Sequence, residues 1–147
     1  MVKHNISEIE LIYKPNKYLN SSISSSSEAA NIFREFWNPL TIGYYEEFKI
    51  MYLDKANHVL GVYNHGKGGL NGVVVDVRMI FQAALIANSH SIIVAHNHPS
   101  ENLSPSQPDK DLTKEIKEAG ILLKIPLLDH LIITKDNYLS FAEKGYL

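Results

Sequence analysis

Two histidines near the middle of the chain have a spacing suited to metal chemistry. His96 and His98 follow the apolar run 92–95, which is typical of a buried strand. Because alternate side chains of a strand share a face, both imidazoles can point towards one place. Asp109 follows across a proline-containing loop as a candidate third ligand. Two imidazoles and a carboxylate suit a divalent metal such as zinc, and three protein ligands leave a fourth position for water.

The same residues have simpler interpretations. A single histidine beside an apolar run is more often a hydrogen-bonded structural residue than a ligand. Ser106 is typical of a helix N-cap, and Asp109 would then lie in the first helical turn, where the helix dipole favours a carboxylate. A capped helix start and a metal site are compatible, and we expect both. The helix start alone does not explain the preceding His-x-His pair, so the whole set favours a metal site.

The segment HNHPS at 96–100, followed by Ser106 and Asp109, resembles the JAMM signature of JAB/MPN metalloenzymes, HxHP and then SxxD. The resemblance is closest to the RadC-like branch, whose bacterial members are named for DNA repair. It covers roughly residues 40 to 147 and includes EEFKIMYLD from 46, DVR from 76, LDHLII from 128 and SFAEKGYL from 140. It implies an α/β fold of the JAB/MPN (cytidine-deaminase-like) type, with a central mixed β-sheet flanked by α-helices.

The resemblance also implies a role for each matching residue. His96, His98 and Asp109 would hold one zinc ion per chain, with water as the fourth ligand. Ser106 would stabilise the oxyanion of a tetrahedral intermediate. The implied activity is that of a zinc metallopeptidase, which hydrolyses a peptide or isopeptide bond in a peptide or protein substrate.

The general base implied by the resemblance is Glu46, two residues before Phe48. Glu47 is the alternative, because a slip of one residue turns a strand side chain to the opposite face. Both glutamates cannot face one metal from a regular strand, and a third interpretation leaves both solvated at the start of a strand. The match to Phe48 favours Glu46.

Two other classes of function remain open. One is a non-enzymatic accessory of DNA repair or mobile-element biology that uses the fold as a binding module. Full-length RadC proteins usually carry a helix-hairpin-helix region, which we do not expect in this chain. The chain has 14 Lys and Arg residues and 16 Asp and Glu residues, which give a net charge of −2. This charge does not support DNA binding by the domain alone. The other class is a catalytically silent scaffold; the complete ligand set favours the enzyme, while its substrate and oligomeric state stay open.

Several residues of the family-like segments carry separate expectations. RadC-like sequences commonly have glycine after His-Pro-Ser, where this chain has Glu101, and a positive φ there would cost glutamate on the order of 1 kcal/mol. A structural or ligand-orienting role is expected for three residues: Arg78, Asp129 and His130. Four histidines without a partner pattern are expected at the surface: His4, His58, His65 and His90.

Composition indicates one compact domain. The chain has 147 residues, of which 45% are hydrophobic. It has no cysteine, which excludes disulfides and thiolate ligands. No signal-peptide core is seen, and no apolar stretch reaches the roughly 18 residues that a membrane helix needs. We therefore expect a cytoplasmic protein without membrane contact.

The elements that must position these residues fall into two parts. In residues 1–39 we predict a short strand over 8–13 and a serine-rich loop or mobile linker over 16–27. The last serine would cap a helix over 28–37, ended by Pro39, with Trp37 packed on the sheet. Residues 40–147 would form the RadC-like domain.

Periodicity and turn residues predict the elements of that domain. Two strands over 48–53 and 58–64 are joined by a turn at 54–57, and a glycine-containing segment follows at 66–72 as a turn or a substrate-facing flap. A helix over 77–88 precedes the strand at 92–95. A helix over 107–119, ended by Gly120, and a strand over 126–134 follow the metal loop.

Overall fold

The computed structural model describes residues 7–10, 12–15, 21–68 and 72–147. In chain order the elements are α1 (Ser26–Glu35), β1 (Glu47–Leu53), β2 (Val59–Lys67), α2 (Val77–Ile86), β3 (Ser91–Asn97), α3 (Gln107–Leu123), β4 (Leu127–Ile133) and β5 (Tyr138–Ser140). The strands form one sheet in the order β2-β1-β3-β4-β5, in which β3 and β4 are parallel and the other pairs antiparallel. The predicted α/β fold with a central mixed sheet is confirmed.

The sheet is covered on both faces, which is why every residue of β3 is buried. One core joins α1 to the odd-numbered residues of β1 and β3, such as Met51 and Ile93. The other core joins α2 and α3 to the even-numbered residues, such as Ile50 and Val94. Trp37 is buried in the first core, as expected. Because His96 is even-numbered, its side chain lies on the face covered by α2 and α3.

The N-terminal predictions need correction. No strand forms at residues 8–10 or 12–13, and Leu11 and residues 16–20 lie outside the described part. Ile23 N donates to Asn57 O and Val59 N to Ser21 O, so the described end of the serine-rich segment is a loop tied to the β1–β2 turn, the first of the two predicted forms. The N-cap of α1 is Ser25, whose side chain accepts from Glu28 N. The helix begins two residues earlier than predicted and ends at Glu35, well before Pro39.

The end of α3 also differs from the prediction. The helix continues past Gly120 to Leu123, and Lys124 adopts the left-handed conformation at φ 57° that ends it. A side chain at position 120 would stand 2.5 Å from Ile125 O. Glycine therefore permits a close backbone approach inside the helix and does not mark its end.

Smaller differences concern the other element ends. The turn at 54–57 forms as predicted, but β2 runs on to Lys67 and includes Gly66, while α2 stops at Ile86. Residues 69–71 of the glycine-containing segment lie outside the described part. None of the described helices is long and apolar enough to cross a membrane.

The four histidines expected at the surface have different environments. His58 and His90 are exposed, and His4 lies outside the described part. His65 is half-buried, because its ring lies beside Phe48 and its Nε2 accepts from Asp76 N at 3.0 Å. The surface prediction was wrong for His65.

Candidate metal centre

Four side chains converge at one end of the sheet: Glu46, His96, His98 and Asp109. Each offers one ligand atom, and these four atoms lie within 4.8 Å of one another. His96 Nε2 lies 2.9 Å from His98 Nε2 and 3.3 Å from Asp109 Oδ1. His98 Nε2 lies 3.4 Å from Asp109 Oδ2. The structure thus brings together the three predicted ligands and the predicted base.

The end of β3 places the two histidines. His96 pairs with Phe48 of β1 and Ile132 of β4, so its backbone is held in the middle of the sheet. The strand ends at Asn97, and the next amide, His98 N, still donates to Ile133 O. His98 Nδ1 contacts the carbonyl oxygen of Asn102. Because a carbonyl can only accept, Nδ1 carries a proton, and Nε2 is the nitrogen that faces the cluster.

The start of α3 places Asp109. Ser106 is the N-cap, and its Oγ accepts from Asp109 N at 3.1 Å. Asp109 Oδ2 in turn accepts from Ser106 N at 2.8 Å, which completes a capping box. This cap confirms the predicted helix start and holds the carboxylate beside the two histidines. The metal-ligand role of Asp109 stays a prediction. The Ser106 hydroxyl is exposed, and its own proton donates to no group in the described part of the chain.

Glu46, and not Glu47, belongs to the cluster. Glu46 Oε1 lies 4.0 Å from His96 Nε2, on the same face as Phe48. Glu47 points to the other face, where its carboxylate lies 3.5 Å from Lys49 Nζ. Asn97 holds this segment in place, because its side chain accepts from Glu47 N and donates to Tyr45 O.

The electrostatics of the cluster favour a cation. Burial raises the pKa of Asp109, but the close contacts with His96 and His98 outweigh the effect of burial and hold that pKa well below its usual range. Burial lowers the pKa of His98, but the contacts with Asp109 and the Asn102 carbonyl outweigh it, so the net shift is upward. The carboxylate is therefore ionised, and the imidazole beside it gains from positive charge.

A cleft opens beside the cluster. Its volume is about 440 Å³, and its wall includes Tyr44, Glu46, Gly72 and His98. Gly72 would place a side chain 3.6 Å from the Glu46 carboxylate, so the described end of the glycine-containing segment borders the cleft. A turn and a substrate-facing flap both stay open as predictions for this segment.

Glu101 lies in the loop after His98 and has φ 63°. The positive φ considered for this position is therefore present, and glutamate occupies a backbone conformation that favours glycine. The side chain is exposed and is not one of the four that converge. The loop keeps His98 in place despite this strain.

The three residues for which a structural role was expected lie in different places. Arg78 is exposed and pairs with Asp76, away from the cluster. Asp129 is buried, and its carboxylate accepts from the hydroxyls of Ser26 and Ser140 and from two backbone amides. His130 is the one that touches a candidate ligand, because its Nε2 lies 2.7 Å from His96 Nδ1.

Sequence reasoning missed Thr113. Its Oγ1 lies 2.6 Å from His130 Nδ1 and 2.6 Å from the backbone oxygen of Asp109. The available signal was its place four residues after Asp109, which puts both residues on one face of the helix. Burial lowers the pKa of His130 well below its usual value, so this histidine is neutral in the network.

Comparison with known proteins gives one family. The family model described as the RadC-like JAB domain matches residues 23–146 of the sequence. A UPF0758 protein of Flavobacterium johnsoniae is 42% identical over 123 residues, which cover 84% of this chain and 52% of that protein. A UPF0758 protein of Staphylococcus haemolyticus is 41% identical over 124 residues, 84% of this chain and 53% of the relative. A UPF0758 protein of Chlorobium chlorochromatii is 34% identical over 143 residues, which cover 95% of this chain and 64% of that protein. The chain thus spans between half and two thirds of the length of these relatives.

Proposed function

The chain belongs to the RadC-like JAB domain family, and on that premise we propose that it is a zinc-dependent hydrolase of peptide or isopeptide bonds. The observation that carries the proposal is the pair of Nε2 atoms of His96 and His98, 2.9 Å apart beside an ionised Asp109. Two imidazole nitrogens at that distance from each other and beside a carboxylate suit a cation between them, either a proton or a metal ion. A second carboxylate, Glu46, lies next to them on the wall of a cleft.

The donor set fits zinc. Four-coordinate zinc with bonds of about 2.0–2.1 Å places neighbouring ligand atoms about 3.3 Å apart. The three separations among His96, His98 and Asp109 are 2.9, 3.3 and 3.4 Å. Glu46 stands further out, 4.0 Å from His96 Nε2, which suits a group that accepts a proton and does not bind the metal.

The residues divide the work of hydrolysis among them. His96, His98 and Asp109 would hold the ion, which when bound lowers the pKa of water and polarises a carbonyl group. Glu46 accepts the proton of the attacking water and returns it to the leaving amine. The Ser106 hydroxyl can donate a hydrogen bond to the carbonyl oxygen of the substrate as negative charge develops there. The cleft beside Glu46 and His98 has room for the substrate chain.

Zinc content and turnover of three proteins test the proposal. Elemental analysis of protein purified without a histidine tag should give about one zinc per chain, and His98→Ala should lose it because one ligand is gone. Glu46→Gln should keep the zinc but lose activity on quenched peptides or isopeptide-linked lysine by about 10²–10⁴-fold, the usual contribution of a general base.

Two controls match these variants. His90→Ala removes an exposed histidine outside the cluster and should keep the zinc. Glu47→Gln alters the neighbouring glutamate on the opposite face and should keep the activity. A wild-type protein that takes up no zinc, or equal activity of Glu46→Gln and Glu47→Gln, would contradict the proposal.

A further inference from the structure

We propose that Thr113 and His130 are positioning residues, which determine the ring nitrogen of His96 that is bare and faces the candidate metal centre. They form a hydrogen-bonded relay from the backbone oxygen of Asp109 to the ring of His96. The inference rests on the proposed metal site, because it assigns a cause to the orientation of one of its ligands.

The relay starts with a group that can only accept. Thr113 Oγ1 lies 2.6 Å from the carbonyl oxygen of Asp109, which has no proton to give. The single hydroxyl proton of Thr113 is therefore used in that bond. His130 Nδ1 lies 2.6 Å from the same Oγ1, so Nδ1 must be the donor in the second bond.

The direction of the first two bonds sets the third. His130 is fully buried, and no carboxylate contacts its ring within the described residues, so the imidazole is neutral and carries one proton. That proton is on Nδ1, which leaves Nε2 bare. His96 Nδ1, 2.7 Å away, must then donate to it. His96 consequently presents a bare Nε2 to His98 and Asp109.

The His130 ring is held so that this order persists. Phe141 stacks on it with ring centres 4.6 Å apart and planes at 21°. Phe48 meets it edge-on at 5.8 Å. Packing alone does not choose between the two neutral forms of the ring, because they have the same shape. The Thr113 hydroxyl supplies the choice.

Removal of that hydroxyl should reverse the relay. Without an acceptor at Nδ1, the favoured form of His130 carries its proton on Nε2 and donates to His96 Nδ1. The proton of His96 then moves to Nε2, where it must be displaced before a metal can bind. Loss of a group that orients a metal-binding histidine typically lowers metal affinity by about 10–100-fold.

The experiment combines nitrogen NMR of the histidine rings with zinc titration. In zinc-free wild-type protein, long-range ¹⁵N–¹H spectra should show His130 with its proton on Nδ1. Thr113→Val, which keeps the shape but lacks the hydroxyl, should move that proton to Nε2 and weaken zinc binding by about 10–100-fold. Thr113→Ser should restore both readouts.

Thr134→Val is the matched control. Thr134 is also buried, and it lies only four residues after His130, but its hydroxyl donates to Asn137 O at the β4–β5 turn and not to a residue of the relay. This variant should leave zinc affinity unchanged. Equal zinc affinity of Thr113→Val and Thr134→Val, or a wild-type His130 with its proton on Nε2, would overturn the inference. Absence of zinc binding by the wild type would instead overturn the proposed function, while the NMR result would still decide the relay.

Discussion

Asp109 has two tasks at the level of single atoms. Its Oδ2 accepts from Ser106 N and so caps α3, while its Oδ1 lies 3.3 Å from His96 Nε2. A carboxylate at this position also lies at the positive end of the helix dipole, which stabilises its charge. Helix stability and ligand placement therefore depend on the same side chain. Ser106, the other half of the cap, has a second task in the proposed hydrolysis, as a donor to the carbonyl oxygen.

Replacement of Ser106 by alanine separates the two roles. Ser106→Ala removes an N-cap hydroxyl and should lower the free energy of unfolding by about 0.5–2 kcal/mol. If the hydroxyl also stabilises the oxyanion, turnover should fall by about 10²–10³-fold while zinc content stays the same. Urea unfolding and peptide hydrolysis measure the two effects.

Ser25→Ala provides the comparison for Ser106→Ala. Ser25 caps α1 in the same way, because its Oγ accepts from Glu28 N at 3.2 Å. Its loss should lower stability by a similar amount without affecting turnover. Similar turnover of the two alanine variants would assign Ser106 to the helix cap alone.

The candidate ligand residues could be anticipated because their signals are local. Alternation along a strand aligns His96 with His98, and the cap pattern places Asp109 at a helix start. The contact of Thr113 with His130 joins α3 to β4 across 17 positions, and no periodicity encodes it. Its prediction needs the packing of the helix on the sheet, which a single sequence does not provide.

At the scale of elements, tertiary contacts decide boundaries that local patterns leave open. Four consecutive serines precede Glu28, at positions 24–27, and each is a reasonable cap. The structure selects Ser25, because Ser26 then lies in the first turn and donates to Asp129 Oδ2. The central strands were easier to predict, since their apolar runs are long and bounded by turn residues.

Gly120 gives a test of the α3 boundary. Alanine is normally about 1 kcal/mol better than glycine inside a helix. Here its Cβ would stand 2.5 Å from Ile125 O, so backbone must move. We expect Gly120→Ala to lower the free energy of unfolding by about 1–3 kcal/mol, the usual effect of overpacking. Urea denaturation measures it.

Gly61→Ala is the control for this prediction. Position 61 lies in β2, and a Cβ there would meet nothing within 4 Å. This variant should be neutral or slightly stabilising, because alanine restricts the unfolded chain more than glycine does. Increased stability of Gly120→Ala would mean that the helix does not need glycine for the approach of Ile125.

For the whole molecule, the candidate centre joins parts that are distant in sequence. Glu46 lies just before β1, the histidines at the end of β3 and Asp109 in the first turn of α3. β1 and β3 are neighbours in the sheet, whereas α3 is attached to it through packing and the Thr113–His130 contact. A bound ion would connect the helix to the sheet directly. Because the fold brings these side chains together, an ion binds the folded state more tightly than the unfolded chain.

Zinc should therefore stabilise the folded chain. With free zinc at 100 times its dissociation constant, binding to the folded state alone adds about 2.7 kcal/mol to the free energy of unfolding. Urea unfolding in zinc-buffered solution and in excess chelator measures the difference. His98→Ala should show no such difference, because its site lacks one of the three closest ligand atoms. An equal gain in wild type and His98→Ala would place the stabilising zinc elsewhere on the protein, and no gain in either would mean that the convergent side chains do not hold the ion.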